Sequence, residues 1–519
     1  MKENINGKLL YKKNNFKIVI IIFTIIIASI GIRLYYFSFD IPLTSDALGY
    51  FYYASDIAIS GNIPINYTPA NSGWSIIVSG FFQILDFETV NEYMQTQKIL
   101  SIIISTITII PIYYLCRKFV DQKLSILGCI FFAFEPHLIQ NSLLGITDPF
   151  YILLITIGLS LILSENKKLI LLSFVLISIS TFIRSEGFFV FLGFLSIILI
   201  REKQNKKKIF TMIFCILIFS MIVIPIAYYK YSVFENDFLF IRINNSVSVI
   251  TTIDGSNEES RILTSIENFP KYFGWSLIPT FIIFIPIGTI SLIKKWNEKS
   301  LVIFSLSFFM ILPMIYAYSI PLKDTRFVIY LFPILIIISL IGIKPILEKY
   351  SVRKLIQILI IIFIVLSSLI FLDWKMDKME FEKDVFSVSK IIVSSSSGVN
   401  SFYPESRFLE AAELPIIWDD YKKYFDSDRE FKKSVRSSVE KKVKIFNTEN
   451  HDSLEDLINN SGRELTHLIV DDNQNRPKFI KEVYDNGEEL DFLKKEFDSQ
   501  EENLNYNVKI FKINYEKLE

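Results

Sequence analysis

Seven side chains that could do chemistry stand where an apolar run begins or ends: Asp46, Tyr50, Glu135, Asp148, Arg184, Glu186 and Arg326. They are far apart in the chain, and charged groups at such edges mark functional sites because burying them is costly. Asp46, in Thr44-Ser45-Asp46-Ala47-Leu48-Gly49-Tyr50, can take a proton from an attacking nucleophile. Its alternative is an N-cap for the amphipathic stretch that follows. Arg326, in Lys323-Asp324-Thr325-Arg326-Phe327, can grip a phosphate in a planar, bidentate way that lysine cannot. A snorkelling anchor is the other reading of that guanidinium. Arg184-Ser185-Glu186-Gly187 places an arginine and a glutamate in what would otherwise be a bare turn between two apolar runs. They form a local ion pair there or face an active cavity.

Glu135-Pro136-His137 and Gly145-Ile146-Thr147-Asp148-Pro149 bring two more acids to helix ends. Carboxylates gathered around a cavity are a donor set for Mg²⁺ or Mn²⁺, with Asp46 and Asp148 as the candidate ligands. Helix capping serves the same residues equally well, since Thr147-Asp148-Pro149 is good helix-start chemistry. His137 reads as an interfacial polar residue. Cys116, Cys129 and Cys215 lie in or at the ends of apolar runs, which excludes a disulfide framework or a cysteine zinc site. The sequence contains no Walker A loop, glycine-rich dinucleotide fingerprint, His-Glu-x-x-His or Gly-x-Ser-x-Gly, so nucleotide-driven and hydrolase mechanisms have no support. Lys+Arg and Asp+Glu both number 54, and a formal net charge of +0 offers nucleic acid no attraction.

The elements that must position these residues are apolar helices. Of 519 residues 51% are hydrophobic and 21% charged, and nearly all of the apolar excess falls before Trp374. A helix needs roughly 20 apolar residues to cross a bilayer, because lipid satisfies no backbone polar group. Runs at 17–37, 97–116, 124–140, 148–164, 169–183, 187–200, 209–229, 276–293, 301–319, 326–343 and 355–372 predict about eleven spans. The first follows Lys8, Lys12, Lys13 and Lys17, but is too long for a signal peptide and lacks a small-residue cleavage site. It reads as a retained anchor.

Basic residues fall in alternate loops: Arg117/Lys118/Lys123, Lys167/Lys168, Arg201/Lys203/Lys206/Lys207/Lys208, Lys294/Lys295/Lys299 and Lys344/Lys349/Arg353/Lys354. By the positive-inside rule the N-terminus is cytoplasmic and the C-terminus extracytoplasmic. Residues 1–373 then form a multi-pass unit of the cell membrane, with long outer loops at about 39–96 and 230–275. The sequons at Asn66, Asn244 and Asn459 all fall on the outer side.

Residues 374–519 read as a separate extracytoplasmic α/β domain. Strands are predicted at 389–393, 443–446, 465–470 and 508–513, and helices at 428–441, 453–459 with Ser453 as N-cap, and 478–484. Asp471-Asp472 reads as a surface turn.

The pattern resembles the GT-C superfamily of membrane glycosyltransferases, and is similar to the branch of protein O-mannosyltransferases, aminoarabinose transferases and their archaeal relatives. The resemblance spans about residues 17–345. It rests on Asp46 and Tyr50, the Gly/Pro/Trp-containing remainder of the first outer loop, Arg184/Glu186/Gly187, and Asp324/Arg326/Phe327 with Tyr330 and Pro333. It implies a polyprenyl-phosphate-linked sugar donor, a site on the extracytoplasmic face, and Asp46 as the catalytic carboxylate. The sequence departs from the family in having one acid at position 46, flanked by Ser45 and Ala47, and in having Glu135 and Asp148 instead of a tight Asp-x-Asp. The second departure bears on metal dependence.

The expectation is an inverting transfer of the sugar to a protein, lipid or glycan acceptor. Asp46 acts as base, Arg326 and Arg184 bind the donor phosphate, and Tyr50, Glu186, Asp148 and Glu135 support the site. Two alternatives stand beside it. Transfer of a whole lipid-linked oligosaccharide would suit a Trp-Trp-Asp-Tyr-Gly box, of which Trp418-Asp419-Asp420-Tyr421 lacks the first Trp and the Gly. A polyprenyl-lipid flippase or transporter would show internal repeats and polar groups near the bilayer midplane, whereas these charges lie at helix ends.

Overall fold

The computed structural model describes residues 2–64, 71–85, 87–234, 261–319, 324–349, 352–401, 406–425, 441–448 and 451–518. The apolar runs fold as helices because a helix satisfies its backbone polar groups within the segment. They are α1 (Lys2–Tyr35), α2 (Ser45–Ser60), α3 (Ser72–Ile84), α4 (Val90–Ile107), α5 (Ile109–Arg117), α6 (Gln122–Ala133), α7 (Pro136–Ser142), α8 (Asp148–Ile162), α9 (Lys167–Ile183), α10 (Gly187–Arg201) and α11 (Asn205–Phe234). Arg261–Leu277, Phe284–Lys294, Glu298–Ser319, Arg326–Ile329, Phe332–Lys349 and Arg353–Ser395 follow. The protein is thus a polytopic α-helical membrane protein with a small C-terminal sheet.

Among the described residues, five stretches are long and apolar enough to cross a bilayer: Phe16–Tyr35, Val90–Cys116, Asn205–Ser232, Glu298–Ser319 and Arg353–Ser395. Several other expected spans are apolar helices of 10–17 residues. Val19, Ile20, Phe23 and Ile27 of α1, and Ile213, Leu217, Met221 and Ile224 of α11, are exposed. Apolar surface of this kind is stable against lipid and unstable against water.

By its packing the chain forms two units. One comprises Met1–Phe37, Ile65–Val78 and Gln97–Leu372; the other comprises Ser38–Pro64, Ser79–Thr96 and Asp373–Glu519. The core of the first, the membrane unit, is built on large side chains from nearly every helix, among them Phe131, Tyr151, Phe174, Phe194, Met310, Tyr318 and Phe332.

The second unit holds the five-stranded sheet, in the order β2-β1-β3-β5-β4. Its strands are β1 (Gly398–Ser401), β2 (Lys444–Asn447), β3 (His467–Asp471), β4 (Leu493–Asp498) and β5 (Val508–Ile513). β1 runs parallel to β2 and β3, and β5 runs antiparallel to β3 and β4. Ile469 and Ile510 pack into one cluster with Val385 and Phe408, while Leu468, Val470 and Phe511 pack into another with Ile480 and Val483. β3 is therefore covered on both faces, which is why it reads as an unbroken apolar run.

The strand expected at 389–393 is instead the end of the helix Arg353–Ser395. Val385, Val388, Ile392 and Val393 are buried, a spacing of three, seven and eight residues that belongs to a helix face. β4 was hidden in the sequence because Lys494, Lys495 and Glu496 make its run polar. Ser453 does cap the helix Leu454–Asn460, its hydroxyl accepting from the Asp456 N–H at 3.1 Å. The helix expected over 428–441 falls almost wholly outside the described residues, as do Asn66 and Asn244.

In this same unit α2 packs on the tail helix Ser406–Phe425. The Trp418 ring lies 6.2 Å from Phe51 and 5.6 Å from Tyr93. Arg407 donates to the Thr44 hydroxyl at 3.4 Å and pairs with Glu382 at 3.4 Å. The helix that carries Asp46 is thereby held from the C-terminal part of the chain.

Candidate active site

In the membrane unit α9 ends at Arg184, whose backbone turns extended (φ −151, ψ 130) while its N–H still donates to the Ser180 carbonyl at 2.9 Å. That break throws the side chain off the helix and into a charged trio. Arg184 Nη1 donates to Asp148 Oδ1, and Nη2 donates to Glu186 Oε1 at 2.7 Å. The guanidinium also faces the Phe327 ring, 5.7 Å from its centroid. All three charged side chains are buried, at 8%, 4% and 10% exposure for Arg184, Asp148 and Glu186. Charges removed from water are tolerable only when paired, and each member of this trio has an oppositely charged partner. The local pair of the Arg-x-Glu turn is real, and Asp148 extends it.

The loop before α8 is held in place from two directions. Gly145 adopts φ 71, a left-handed conformation that favours glycine. Its carbonyl accepts from Trp74 Nε1 at 3.0 Å and from Gln97 Nε2 at 2.7 Å. Asp148 Oδ2 accepts from Asn141 Nδ2 at 3.0 Å. The start of α3 meanwhile presses on the end of α9: a Cβ at Gly73 would stand 2.5 Å from Ile183 Cδ1 and 2.9 Å from the Phe182 carbonyl oxygen. One segment, Ser72-Gly73-Trp74, thus braces both Asp148 and Arg184.

Glu135 has another role in this geometry. It is the N-cap of α7, Oε2 accepting from the Leu138 N–H at 2.9 Å and Oε1 lying 3.1 Å from His137 Nδ1. Arg33, which the sequence reading passed over, is fully buried in α1. Its guanidinium donates to Ser142 Oγ at 3.1 Å, to Ser105 Oγ at 3.1 Å, and to the Ala133 and Ser29 carbonyls at 3.0 and 3.2 Å. It ties α1 to α4, α6 and α7. The available signal was an arginine inside the apolar run 17–37, with a serine one turn earlier.

Arg326 opens the short helix Arg326–Ile329 and is half-buried. Its backbone N–H donates to Asp324 Oδ1 at 2.9 Å and its Nε to Asp324 Oδ2 at 2.5 Å. Tyr318 fixes the same turn by donating to the Asp324 carbonyl at 2.9 Å. Because the adjoining Phe327 lies against Arg184, the Arg326 segment borders the trio.

Asp46 and Tyr50 stand on α2, in the second unit. Asp46 is exposed in the first turn, Tyr50 is buried, and the N-cap is Thr44, so Asp46 is not the capping residue. Ser45 holds φ 51 immediately before it, a strained conformation for serine.

Among the described residues, no three His, Cys, Asp or Glu side chains lie close enough to hold a metal ion. At Asp148 both carboxylate oxygens already accept from Arg184 and Asn141, and the guanidinium supplies the compensating positive charge. That donor set does not fit Mg²⁺ or Mn²⁺.

No protein-family model matches the sequence, and no curated protein matches it. Solved structures do match. The apo oligosaccharyltransferase of Archaeoglobus fulgidus is 10% identical with a TM-score of 0.57, over 88% of this chain and 69% of that one. The archaeal oligosaccharyltransferase AglB from the same organism, in complex with an inhibitory peptide and a dolichol-phosphate, is 11% identical with a TM-score of 0.53, over 87% and 69%. ArnT from Cupriavidus metallidurans, bound to undecaprenyl phosphate, is 8% identical with a TM-score of 0.56, over 95% and 97%. At such identities the likeness is one of fold, and that fold is the GT-C fold of membrane glycosyltransferases.

Proposed function

We propose that this GT-C-fold protein transfers a sugar from a polyprenyl-phosphate-linked donor to a protein, lipid or glycan acceptor at the outer face of the cell membrane. The observation that carries the reading is Arg326, a half-buried guanidinium bordering the buried Arg184 trio. It stands on a fold whose relative ArnT was solved with undecaprenyl phosphate.

The reaction is a direct displacement with inversion. The acceptor oxygen or nitrogen attacks the anomeric carbon and its proton passes to Asp46, while the bond from that carbon to the phosphate oxygen breaks. The phosphate leaves with the electron pair, and Arg326 stabilises the negative charge it gains. A base of this kind is worth about 10²–10⁴-fold in rate. Arg184, engaged by Asp148 and Glu186, holds the phosphate side of the site in register and stands behind Arg326 as a second cation. Tyr50 and Glu135 support the framework. The N-terminus is cytoplasmic and the tail extracytoplasmic.

Transfer of a whole lipid-linked glycan is the second reading, favoured by the likeness to AglB with its dolichol-phosphate. The incomplete Trp-Asp-Asp-Tyr segment at 418–421 speaks for transfer of a single sugar. A flippase would carry its charges near the midplane rather than at helix ends.

The test is to incubate the purified protein with polyprenyl-phosphate sugars and measure release of free polyprenyl phosphate. Mass spectrometry of lipid-linked sugars from cells with and without the protein then identifies the donor. Lipid translocation in proteoliposomes without covalent transfer would replace this reading with the flippase one.

A further inference from the structure

Two tyrosines cross in the core of the membrane unit, and among the described residues only one of them has its hydroxyl bonded. Tyr151 and Tyr330 meet edge to face with ring centroids 5.8 Å apart, and both are fully buried. Tyr330 donates to the Met310 carbonyl at 3.3 Å. The Tyr151 hydroxyl has no hydrogen-bond partner among the described residues. Asn141 shows the same feature: its amide nitrogen donates to Asp148, but its Oδ1, also buried, has no partner among the described residues. An ionised carboxylate only accepts, so the Asn141 amide is fixed with its nitrogen on Asp148 and its acceptor oxygen unused. Asp148 and Tyr151 are three residues apart on α8 and share a face, and the Asn141–Asp148 bond sets α7 beside it.

Buried polar atoms nearly always have a partner, so these two call for one from outside the chain. Its chemistry is constrained. Asn141 Oδ1 can only accept, and Asp148 and Glu186 add negative charge nearby, so a phosphate, whose oxygens also accept, is the wrong ligand. A neutral group bearing hydroxyls is the right one, donating to Asn141 and exchanging a hydrogen bond with Tyr151.

We propose that Asn141 and Tyr151 form the subsite for the hydroxyl groups of the transferred sugar, with Tyr151 setting specificity. The inference rests on the glycosyl-transfer reading above.

The experiment measures binding of bare undecaprenyl phosphate, and of undecaprenyl phosphate carrying glucose or mannose, to the full-length protein and to Tyr151→Phe. The wild type should prefer a glycosylated lipid over the bare one. Tyr151→Phe should lose about two- to tenfold in affinity for the glycosylated lipid and keep its affinity for the bare one. Without ligand, Tyr151→Phe should melt at or above the wild-type temperature, since its lost hydroxyl bonds none of the described residues. Tyr330→Phe should melt lower. Unchanged binding of the glycosylated lipid by Tyr151→Phe overturns the subsite, as does a ligand-free melting loss matching that of Tyr330→Phe, which would assign the hydroxyl to a structural water. Equal wild-type binding of bare and glycosylated lipids also overturns the subsite alone. A wild type that binds neither lipid removes the transfer reading itself.

Discussion

Arg184 and Asp148, 36 residues apart in the chain, form a buried ion pair in the membrane unit, and Glu186 completes it from the other side of the guanidinium. One side chain therefore joins the start of α8 to the turn between α9 and α10. Breaking such a pair leaves a charge buried without compensation, which is where its energetic weight lies.

Arg184→Gln should destabilise the protein by about 3–5 kcal/mol, because Asp148 and Glu186 would remain buried without their cation. The double variant Arg184→Gln/Asp148→Asn should be less destabilised than the two single effects added together. Thermal unfolding of the purified variants reads this directly. Strict additivity would mean that the pair is not energetically coupled.

Asp46→Asn should fold normally and lose about 10²–10⁴-fold in transfer rate. Asp46 is exposed and is not the N-cap of α2, and the change weakens its favourable interaction with the helix dipole by about 0.3–1 kcal/mol. Turnover and melting temperature are measured on the same preparation. Wild-type turnover would take Asp46 out of the mechanism.

Arg326→Lys keeps the charge but not the planar fork, and should raise KM for the lipid donor by about tenfold. Arg326→Gln should lower kcat as well, since the leaving phosphate loses its cation. Steady-state kinetics with a polyprenyl-phosphate sugar separate the two effects. If lysine serves as well as arginine, the contact is a simple point charge.

Burial pushes the His467 imidazole below its ordinary value of 6.5, against the opposing pull of Glu496, whose carboxylate lies 3.2 Å from Nε2. The unfolded chain therefore binds a proton first as the pH falls, and the fold loses stability in the window below about 6.5. Above that window the contribution is fully present. The opening free energy of the β3 and β5 amides in the full-length protein, taken from exchange rates divided by the intrinsic rate at each pH, should fall from pH 7 to 5, and His467→Gln should flatten that dependence. A higher opening free energy at pH 5 than at pH 7 would reverse the sign and remove the explanation.

Much of the fold was legible because it is local. The apolar runs before Trp374 state their own helices, and Ser453 announces a helix start that depends on nothing beyond one turn of chain. Short apolar stretches are the exception. Residues 389–393 are compatible with a strand or a helix, and only the continuing burial from Val385 through Val393 on one face decides for the helix. β4 was missed for the opposite reason, since its charged residues hide the alternation of a half-covered strand.

The site divides along the same line. The sequence by itself determined which residues were candidates, because a carboxylate or guanidinium at the end of an apolar run must find either water or a partner. It also determined the membrane character and the small α/β tail. Only the tertiary structure decided who the partners are: Asp148 for Arg184, Leu138 N–H and His137 for Glu135, serine hydroxyls and carbonyls for Arg33. It likewise decided that α2 packs with the tail, and that Tyr330 is bonded while Tyr151, among the described residues, is not. The reason is physical. Spacing in a sequence constrains neighbours within a helical turn, whereas a pairing across 36 residues depends on how whole helices pack.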